Sequence, residues 1–208
     1  MRTVVDLTTW NRREHFDFFC KMEEPFYGVV VEIDATIAYQ ESKRLGYSFF
    51  NYYLYRTLEA VNKTEAMRLR IEDGQVYLYD GIDASATIMR ADKTFGFSYV
   101  FYNEDYKAFN GDLVEEINRV QNTTGLMTRT DFKENIIHFS AVPFIKFSSI
   151  SHARSFTYPD SCPKISVGKL YERNERMYFN VSVHVHHGLV DGYHLGQFID
   201  ELQRCLDQ

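Results

Sequence analysis

The chain has 208 residues and a formal net charge of -6 at pH 7, and its lysines and arginines are scattered among acids. Nucleic-acid binding is therefore disfavoured, because it requires basic side chains that neutralise phosphates. No apolar run reaches the roughly 18 residues of a membrane span, and three widely spaced cysteines suit a reducing compartment, so we expect a cytoplasmic protein without a membrane partner.

The first half of the chain alternates between helical and strand patterns. In chain order we expect a helix after Asn11, a strand over 27–33, a short helix between Asp34 and Gly46, a helix over 50–61, and a hairpin turning at Asp73-Gly74. The strand is rich in β-branched residues, and the helix over 50–61 carries apolar residues at helical spacing. An Asp-Gly pair between two strand-like runs is a strong hairpin signal.

The second half continues the alternation. It predicts strands over 84–90, 95–101, 136–141, 163–171 and 177–186, a helix over 106–120 and a closing helix over 195–206. Strict strand-helix-strand alternation, which would give a doubly wound parallel sheet, is absent. No linker rich in Pro, Gly or Ser divides the sequence. We therefore expect one domain over 1–208, a two-layer α/β sandwich with a mixed β-sheet flanked by helices.

Four of the seven histidines lie at or just beyond the end of the strand predicted over 177–186. Valines occupy alternate positions near the end of that strand, so His184 and His186 face the other side. His187 continues the valine side, and we expect it to point toward the apolar interior where a glycine-bounded loop begins. A histidine there is well placed for proton transfer, because imidazole has a pKa of about 6.5 and accepts a proton near neutral pH.

Other interpretations of this cluster stay open at this point. His184 and His186 form a His-x-His pair that could ligate zinc, or they could be polar strand residues facing solvent. Asp191 could hold the loop and so fix the tautomer of His187, or the Asp191-Gly192 pair could be only a turn signal.

The residues 186–192, His-His-Gly-Leu-Val-Asp-Gly, match the HHxxxDG signature of the CoA-dependent acyltransferases. Within that superfamily the whole chain resembles the type A chloramphenicol acetyltransferases. Further segments carry the resemblance in the expected order, namely 10–16, 67–71, 79–80, 139–144, 165–169 and 194–196. The length of the chain is also similar to that of the family.

The resemblance implies roles for five residues. His187 corresponds to the general base that takes the proton of the acceptor hydroxyl, and Ser140 corresponds to the serine that stabilises the oxyanion. Asp191 and Arg12 match a buried ion pair that holds the active-site loop. Ser166 matches a threonine that orders a water near the intermediate. Without the resemblance, Arg12 could be an exposed cation at a helix start and Ser140 an ordinary strand hydroxyl.

The resemblance also implies the substrates and the assembly. Acetyl-CoA is the acyl donor, and the chemistry requires neither a metal nor a covalent acyl-enzyme. The family is a homotrimer with each pocket at a subunit interface, where one subunit supplies the histidine and its neighbour supplies most of the acceptor pocket. We therefore expect a small-molecule acceptor and no nucleic-acid partner.

Three departures from the family pattern fall on the acceptor side. Phe19 stands where a tyrosine often contacts the drug, Phe144 replaces a tryptophan, and His184 replaces a glutamine. A missing hydroxyl in a pocket built to recognise one can change discrimination by orders of magnitude. The hypothesis is an acetyl-CoA-dependent chloramphenicol O-acetyltransferase. The alternatives are an acyltransferase of the same fold acting on another small alcohol, amine or thiol, and a catalytically idle trimeric ligand-binding relative.

Overall fold

A mixed β-sheet and a layer of helices make up the computed structural model, which describes residues 1–155 and 160–208. The strands are β1 (Arg2–Val4), β2 (Phe26–Asp34), β3 (Leu69–Glu72), β4 (Gln75–Tyr79), β5 (Asp83–Met89), β6 (Phe95–Phe97), β7 (Ile136–Ala141), β8 (Lys164–Val167), β9 (Tyr171–Arg173) and β10 (Arg176–His186). The helices are α1 (Arg13–Phe19), α2 (Thr36–Arg44), α3 (Phe49–Lys63), α4 (Tyr106–Gln121) and α5 (Gly192–Leu206).

The larger sheet follows the order β2-β10-β8-β7-β5-β6, with β9 paired to β10. Strand β10 runs antiparallel to β2 and β8, whereas β7 runs parallel to both β8 and β5. These mixed directions confirm the predicted mixed sheet. A smaller sheet has the order β1-β4-β3.

The β3–β4 hairpin and the start of α2 were both predicted from local sequence. The β3–β4 hairpin turns at Asp73 and Gly74, which have φ angles of 49° and 76°. Positive φ at both central residues is the turn geometry whose twist matches that of antiparallel strands, so the hairpin prediction is confirmed. The start of α2 depends on Asp34, whose side chain accepts a hydrogen bond of 2.9 Å from the backbone N–H of Thr36.

Two strand predictions were inaccurate and one strand was missed, because short strands and strand ends depend on distant partners. The strand predicted over 163–171 divides into β8 and β9, since the N–H of Lys169 donates to the carbonyl of Ile145 rather than to the sheet. Strand β6 ends at Phe97, and only an isolated bridge joins Val100 to Ala84. Strand β1 was not predicted, since its residues are exposed and it is defined only by pairing with β4.

The core lies between the larger sheet and the helices. Helix α3 packs against α2, α4 and α5, and its apolar residues share one cluster with the valines of β10. This arrangement confirms the two-layer α/β sandwich. Within the described residues, none of the helices has the length and apolarity that crossing a bilayer requires.

The second face of β10 is also largely covered. Ser182 is 0% exposed and His186 is 6% exposed. The alternative interpretation of His186 as a solvent-facing residue is therefore wrong. Its Nδ1 accepts a hydrogen bond from the backbone N–H of Gly188, and its ring meets the ring of Phe26 edge to face. His186 thus fixes the strand end at which His187 begins the loop.

Candidate active site

His187 lies one residue beyond β10, at the start of a tight loop. Its backbone N–H donates to the carbonyl of Pro25 at 2.8 Å, which continues the alignment of β10 with β2. The backbone N–H groups of Leu189 and Val190 both donate to the carbonyl of His186. The side chains of Leu189 and Val190 are buried, so the loop is anchored to the core immediately after the histidine.

Two aromatic rings hold the imidazole of His187. Phe19, at the end of α1, stacks on it with ring centroids 3.7 Å apart and an interplanar angle of 14°. Tyr27, on β2, lies at 4.3 Å on a tilted plane. The Nδ1 of His187 is buried and has no hydrogen-bond partner in the described part of the chain. The orientation of the ring is therefore set by packing.

Arg12 and Asp191 are in contact, although they are far apart in the sequence. The guanidinium of Arg12 donates to the carboxylate of Asp191, and a second nitrogen lies 3.4 Å from the carbonyl oxygen of His187. Arg12 is 8% exposed, so its charge is largely removed from solvent. This pair ties the segment before α1 to the loop that follows His187.

Asp191 also begins helix α5. Its carboxylate accepts hydrogen bonds from the backbone N–H groups of Tyr193 and His194 and lies 2.8 Å from Nδ1 of His194. Burial alone would raise the pKa of Asp191, but the hydrogen bond from Arg12 and the positive charges of His194 and Arg12 lower it to about 2. The carboxylate is therefore ionised at neutral pH and fixes both the loop and the helix start.

Ser140 lies on β7, in the wall of a cavity of about 550 Å³. Ser166, on the adjacent β8, is directly opposite Ser140 in register and is 0% exposed. The hydroxyl of Ser166 has no hydrogen-bond partner among the described residues. A buried hydroxyl without a partner fits a site that an ordered water or a ligand completes.

His187 and Ser140 do not meet within one chain. Ser140 pairs with Ser166, and Ser166 pairs with Ser182, which places Ser182 two strands from Ser140. His187 is a further five residues along the chain. With strands about 4.8 Å apart and about 3.3 Å per residue, the two Cα atoms are roughly 20 Å apart. His187 is also absent from the described residues that line the cavity.

The three predicted acceptor-side residues occupy different places. Phe19 stacks on His187, Phe144 is 69% exposed, and neither belongs to the described cavity wall. The Nδ1 of His184 is 3.1 Å from the hydroxyl of Ser182. The ring of His184 packs across Gly28, where an added Cβ would lie 2.4 Å from the imidazole. Roles for these residues in substrate binding stay predictions.

Sequence reasoning missed most of the cavity wall. The wall includes ionisable residues that no motif marked, namely Lys133, Glu134, His138, His152, Arg154, Asp160, Cys162 and Lys164. They come from three separate segments, and only the pairing of β7 with β8 and the loops around them brings these segments together. Tyr27 was missed as a neighbour of His187 for the same reason. Burial, together with the charge of Asp191, raises the pKa of Tyr27 to about 12, so its hydroxyl stays protonated.

Three of these wall residues, His138, Asp160 and Cys162, have ligand atoms within 4.8 Å of one another. This group differs from the His184–His186 pair considered as a zinc site. Burial raises the pKa of Cys162 to about 11, and Asp160 is already paired with the ammonium of Lys164. The negative charge of Asp160 is therefore already compensated by Lys164 of the same chain.

The sequence of this chain is similar to those of known proteins over almost its whole length. The sequence model of the family described as chloramphenicol acetyltransferase matches residues 1–203. Chloramphenicol acetyltransferase of Proteus mirabilis is 27% identical over 99% of this chain and 94% of its own length. Chloramphenicol acetyltransferase 3 of Escherichia coli is 28% identical over 97% of this chain and 95% of its own length.

Solved structures agree with the sequence comparison. A chloramphenicol acetyltransferase superposes with a TM-score of 0.91 and 28% identity, covering 99% of this chain and 100% of its own. A probable dihydrolipoamide acetyltransferase from Listeria monocytogenes shares the fold, with a TM-score of 0.67 at 15% identity and coverage of 95% and 92%. The chain therefore belongs to the chloramphenicol acetyltransferase family of acyltransferases.

Proposed function

We propose that this chain is an acetyl-CoA-dependent O-acetyltransferase acting on a small hydroxyl compound, with chloramphenicol, the acceptor named for its relatives, as the first candidate. The proposal rests on the position of the His187 imidazole. The rings of Phe19 and Tyr27 pack against it, and the Arg12–Asp191 pair anchors the loop that follows it. A base positioned against the proton that it accepts typically contributes about 10²–10⁴-fold in rate.

In the proposed reaction both substrates are bound at the same time. His187 removes the proton of the acceptor hydroxyl, and the resulting oxygen forms a bond to the thioester carbonyl carbon. Ser140 donates a hydrogen bond to the carbonyl oxygen as it becomes negative, and Ser166 orders a nearby water. The C–S bond then breaks, CoA leaves as the thiolate, and His187 returns the proton to sulfur. The products are an acetyl ester and free CoA.

We propose further that the active site forms between subunits of a homotrimer. The separation of roughly 20 Å between His187 and Ser140 supports this, because one carbonyl group cannot contact both residues of the same chain. A second chain would supply Ser140 and its cavity opposite the His187 of the first. We also propose a cytoplasmic location, which the three unpaired cysteines support.

The alternatives differ in a measurable way. An acyltransferase of the same fold with another acceptor would release CoA thiol in the presence of some alcohol, amine or thiol, but not with chloramphenicol. A catalytically idle ligand-binding relative would release no thiol with any acceptor. The intact set of His187, Asp191, Arg12 and Ser140 favours an active enzyme.

The test is the release of CoA thiol from acetyl-CoA with and without chloramphenicol. We expect chloramphenicol-dependent release by the wild-type protein and a fall in kcat of about 10³-fold in His187→Ala. The matched control is His15→Ala, which removes an exposed histidine of α1 and leaves kcat unchanged. Wild-type turnover in His187→Ala would show that His187 is not the general base. Absence of thiol release in the presence of chloramphenicol would show that chloramphenicol is not the acceptor.

A further inference from the structure

Two neighbouring residues of the cavity wall each keep a buried nitrogen without a partner. These are Nε2 of His152 and Nε of Arg154, and neither has a hydrogen-bond partner among the described residues. A buried polar atom left unpaired destabilises the folded protein unless something else satisfies it. Two such atoms in the wall of one substrate-sized cavity, on residues two positions apart in the sequence, point to a ligand.

The guanidinium of Arg154 is anchored but incompletely paired. It donates through Nη1 to the carboxylate of Glu24, and its central carbon lies 3.7 Å from the ring centroid of Phe26. The side chain is 10% exposed, and burial lowers the pKa of Arg154 from its ordinary value. A guanidinium nevertheless stays charged in proteins, so Nε remains a donor that needs an acceptor.

His152 offers the second free nitrogen. Its ring meets the ring of His184 edge to face at 4.8 Å. Burial, with smaller contributions from the charges of His184 and Lys164, lowers the pKa of His152 to about 4. The imidazole is therefore neutral near pH 7, and its Nε2 can serve as a donor in one tautomer.

Ion pairs already compensate part of the charge on the described wall. Asp160 pairs with Lys164 and Arg154 pairs through Nη1 with Glu24, but neither ion pair satisfies Nε of Arg154. An apolar, uncharged acceptor would cover these groups without satisfying them. An acceptor with an anionic group would accept a charge-assisted hydrogen bond from Nε of Arg154 and a second hydrogen bond from Nε2 of His152.

We propose that His152 and Arg154 form a specificity subsite for a negatively charged group, so that the preferred acceptor is a hydroxyl compound that also carries a carboxylate or phosphate. This inference rests on the proposed acetyl transfer, because the same cavity contains Ser140. A volume of about 550 Å³ accommodates a small acceptor that is anchored at this subsite and presents its hydroxyl near Ser140.

The test compares two acceptors that differ in charge. The probes are 4-(2-hydroxyethyl)benzoate and 4-(2-hydroxyethyl)benzamide, which share a ring and a primary hydroxyl. Calorimetry gives Kd for each, and CoA thiol release gives kcat/KM. We expect the wild-type protein to bind the carboxylate about tenfold more tightly than the amide. Arg154→Gln and His152→Gln should each reduce that ratio at least threefold, whereas Lys107→Gln, an exposed position on α4, should leave it unchanged.

The outcomes separate this proposal from the function on which it rests. A Kd ratio near one in the wild type, a ratio unaffected by both cavity variants, or binding of neither probe overturns the subsite. Preferential binding of the carboxylate that both variants weaken supports it, even if no CoA thiol is released, in which case acetyl transfer is the part that fails. Circular dichroism confirms the folding of each variant, and His152→Gln carries the test if Arg154→Gln does not fold.

Discussion

The His187 ring is positioned by two aromatic neighbours, which leaves its hydrogen-bonding capacity for substrate. Phe19 comes from α1 and Tyr27 comes from β2, which pairs with the strand that ends one residue before His187. Stacking restricts the ring without consuming either nitrogen. A general base benefits from this arrangement, because it must be oriented and still be free to accept a proton.

Ser140 is the other residue to which the proposed function gives a chemical task. Its hydroxyl would stabilise the oxyanion only while the carbonyl carbon is tetrahedral, so Ser140→Ala should lower kcat by about 10²-fold with little change in KM. Steady-state kinetics with acetyl-CoA and chloramphenicol measures this split. The control, Ser149→Ala, removes an exposed hydroxyl outside the cavity and should retain wild-type kinetics. A change confined to KM would instead make Ser140 a residue that binds substrate in the ground state.

At the scale of elements, the start of α5 links catalysis to stability. Asp191 caps the helix, holds Arg12 and so closes the loop that carries His187. Each of these contacts requires the ionised carboxylate or is strengthened by it. The same side chain should therefore affect the unfolding free energy and the rate, in a manner that depends on pH.

Acid titration tests that link. The pKa of Asp191 falls from 3.8 to about 2 in the folded protein, so its stabilisation is complete above about pH 5 and is lost as the pH falls through about 2. Asp191→Asn should lower the unfolding free energy by about 2 kcal/mol at pH 7, and most of that difference should be gone at pH 2. Urea unfolding at fixed protein concentration measures it. Asp200→Asn, an exposed position on the same helix, should show no comparable loss.

The long elements could be predicted from sequence, but the strand ends could not. Helices α3, α4 and α5 are amphipathic over many residues, so their local pattern suffices. Strands β1 and β9 are three residues long and exist through pairing with β4 and β10, which no local pattern encodes.

The candidate site was also predictable only in part. The residues of the 186–192 motif were recognisable because they are contiguous, and Ser140 because it lies in a recognisable segment. His152 and Arg154 were not predicted, since their interest arises from unpaired nitrogens that only the folded chain reveals. Phe144 was predicted on the acceptor side, in place of the family's tryptophan, yet it lies exposed and is absent from the described wall of its own chain's cavity.

At the scale of the whole molecule, the proposed assembly joins two half-sites that a single chain keeps apart. One consists of His187 and the rings around it, and the other is the cavity beside Ser140. The register of β7, β8 and β10 keeps the two half-sites apart, because the pairing of these strands fixes Ser140 and His187 at distant positions. In the proposed homotrimer, joining them requires a head-to-tail contact, which gives a ring when the rotation between subunits closes.

Mixing two inactive variants tests this assembly. His187→Ala and Ser140→Ala are unfolded together in equal amounts, refolded, and assayed for chloramphenicol-dependent release of CoA thiol. At each head-to-tail interface the chance that one chain supplies an intact His187 and its neighbour an intact Ser140 is about one quarter, whatever the size of the ring. We expect recovery of about a quarter of wild-type activity, far above either variant refolded alone. If both residues acted from one chain, no mixture would contain an intact site, and the activity would stay at the average of the two variants.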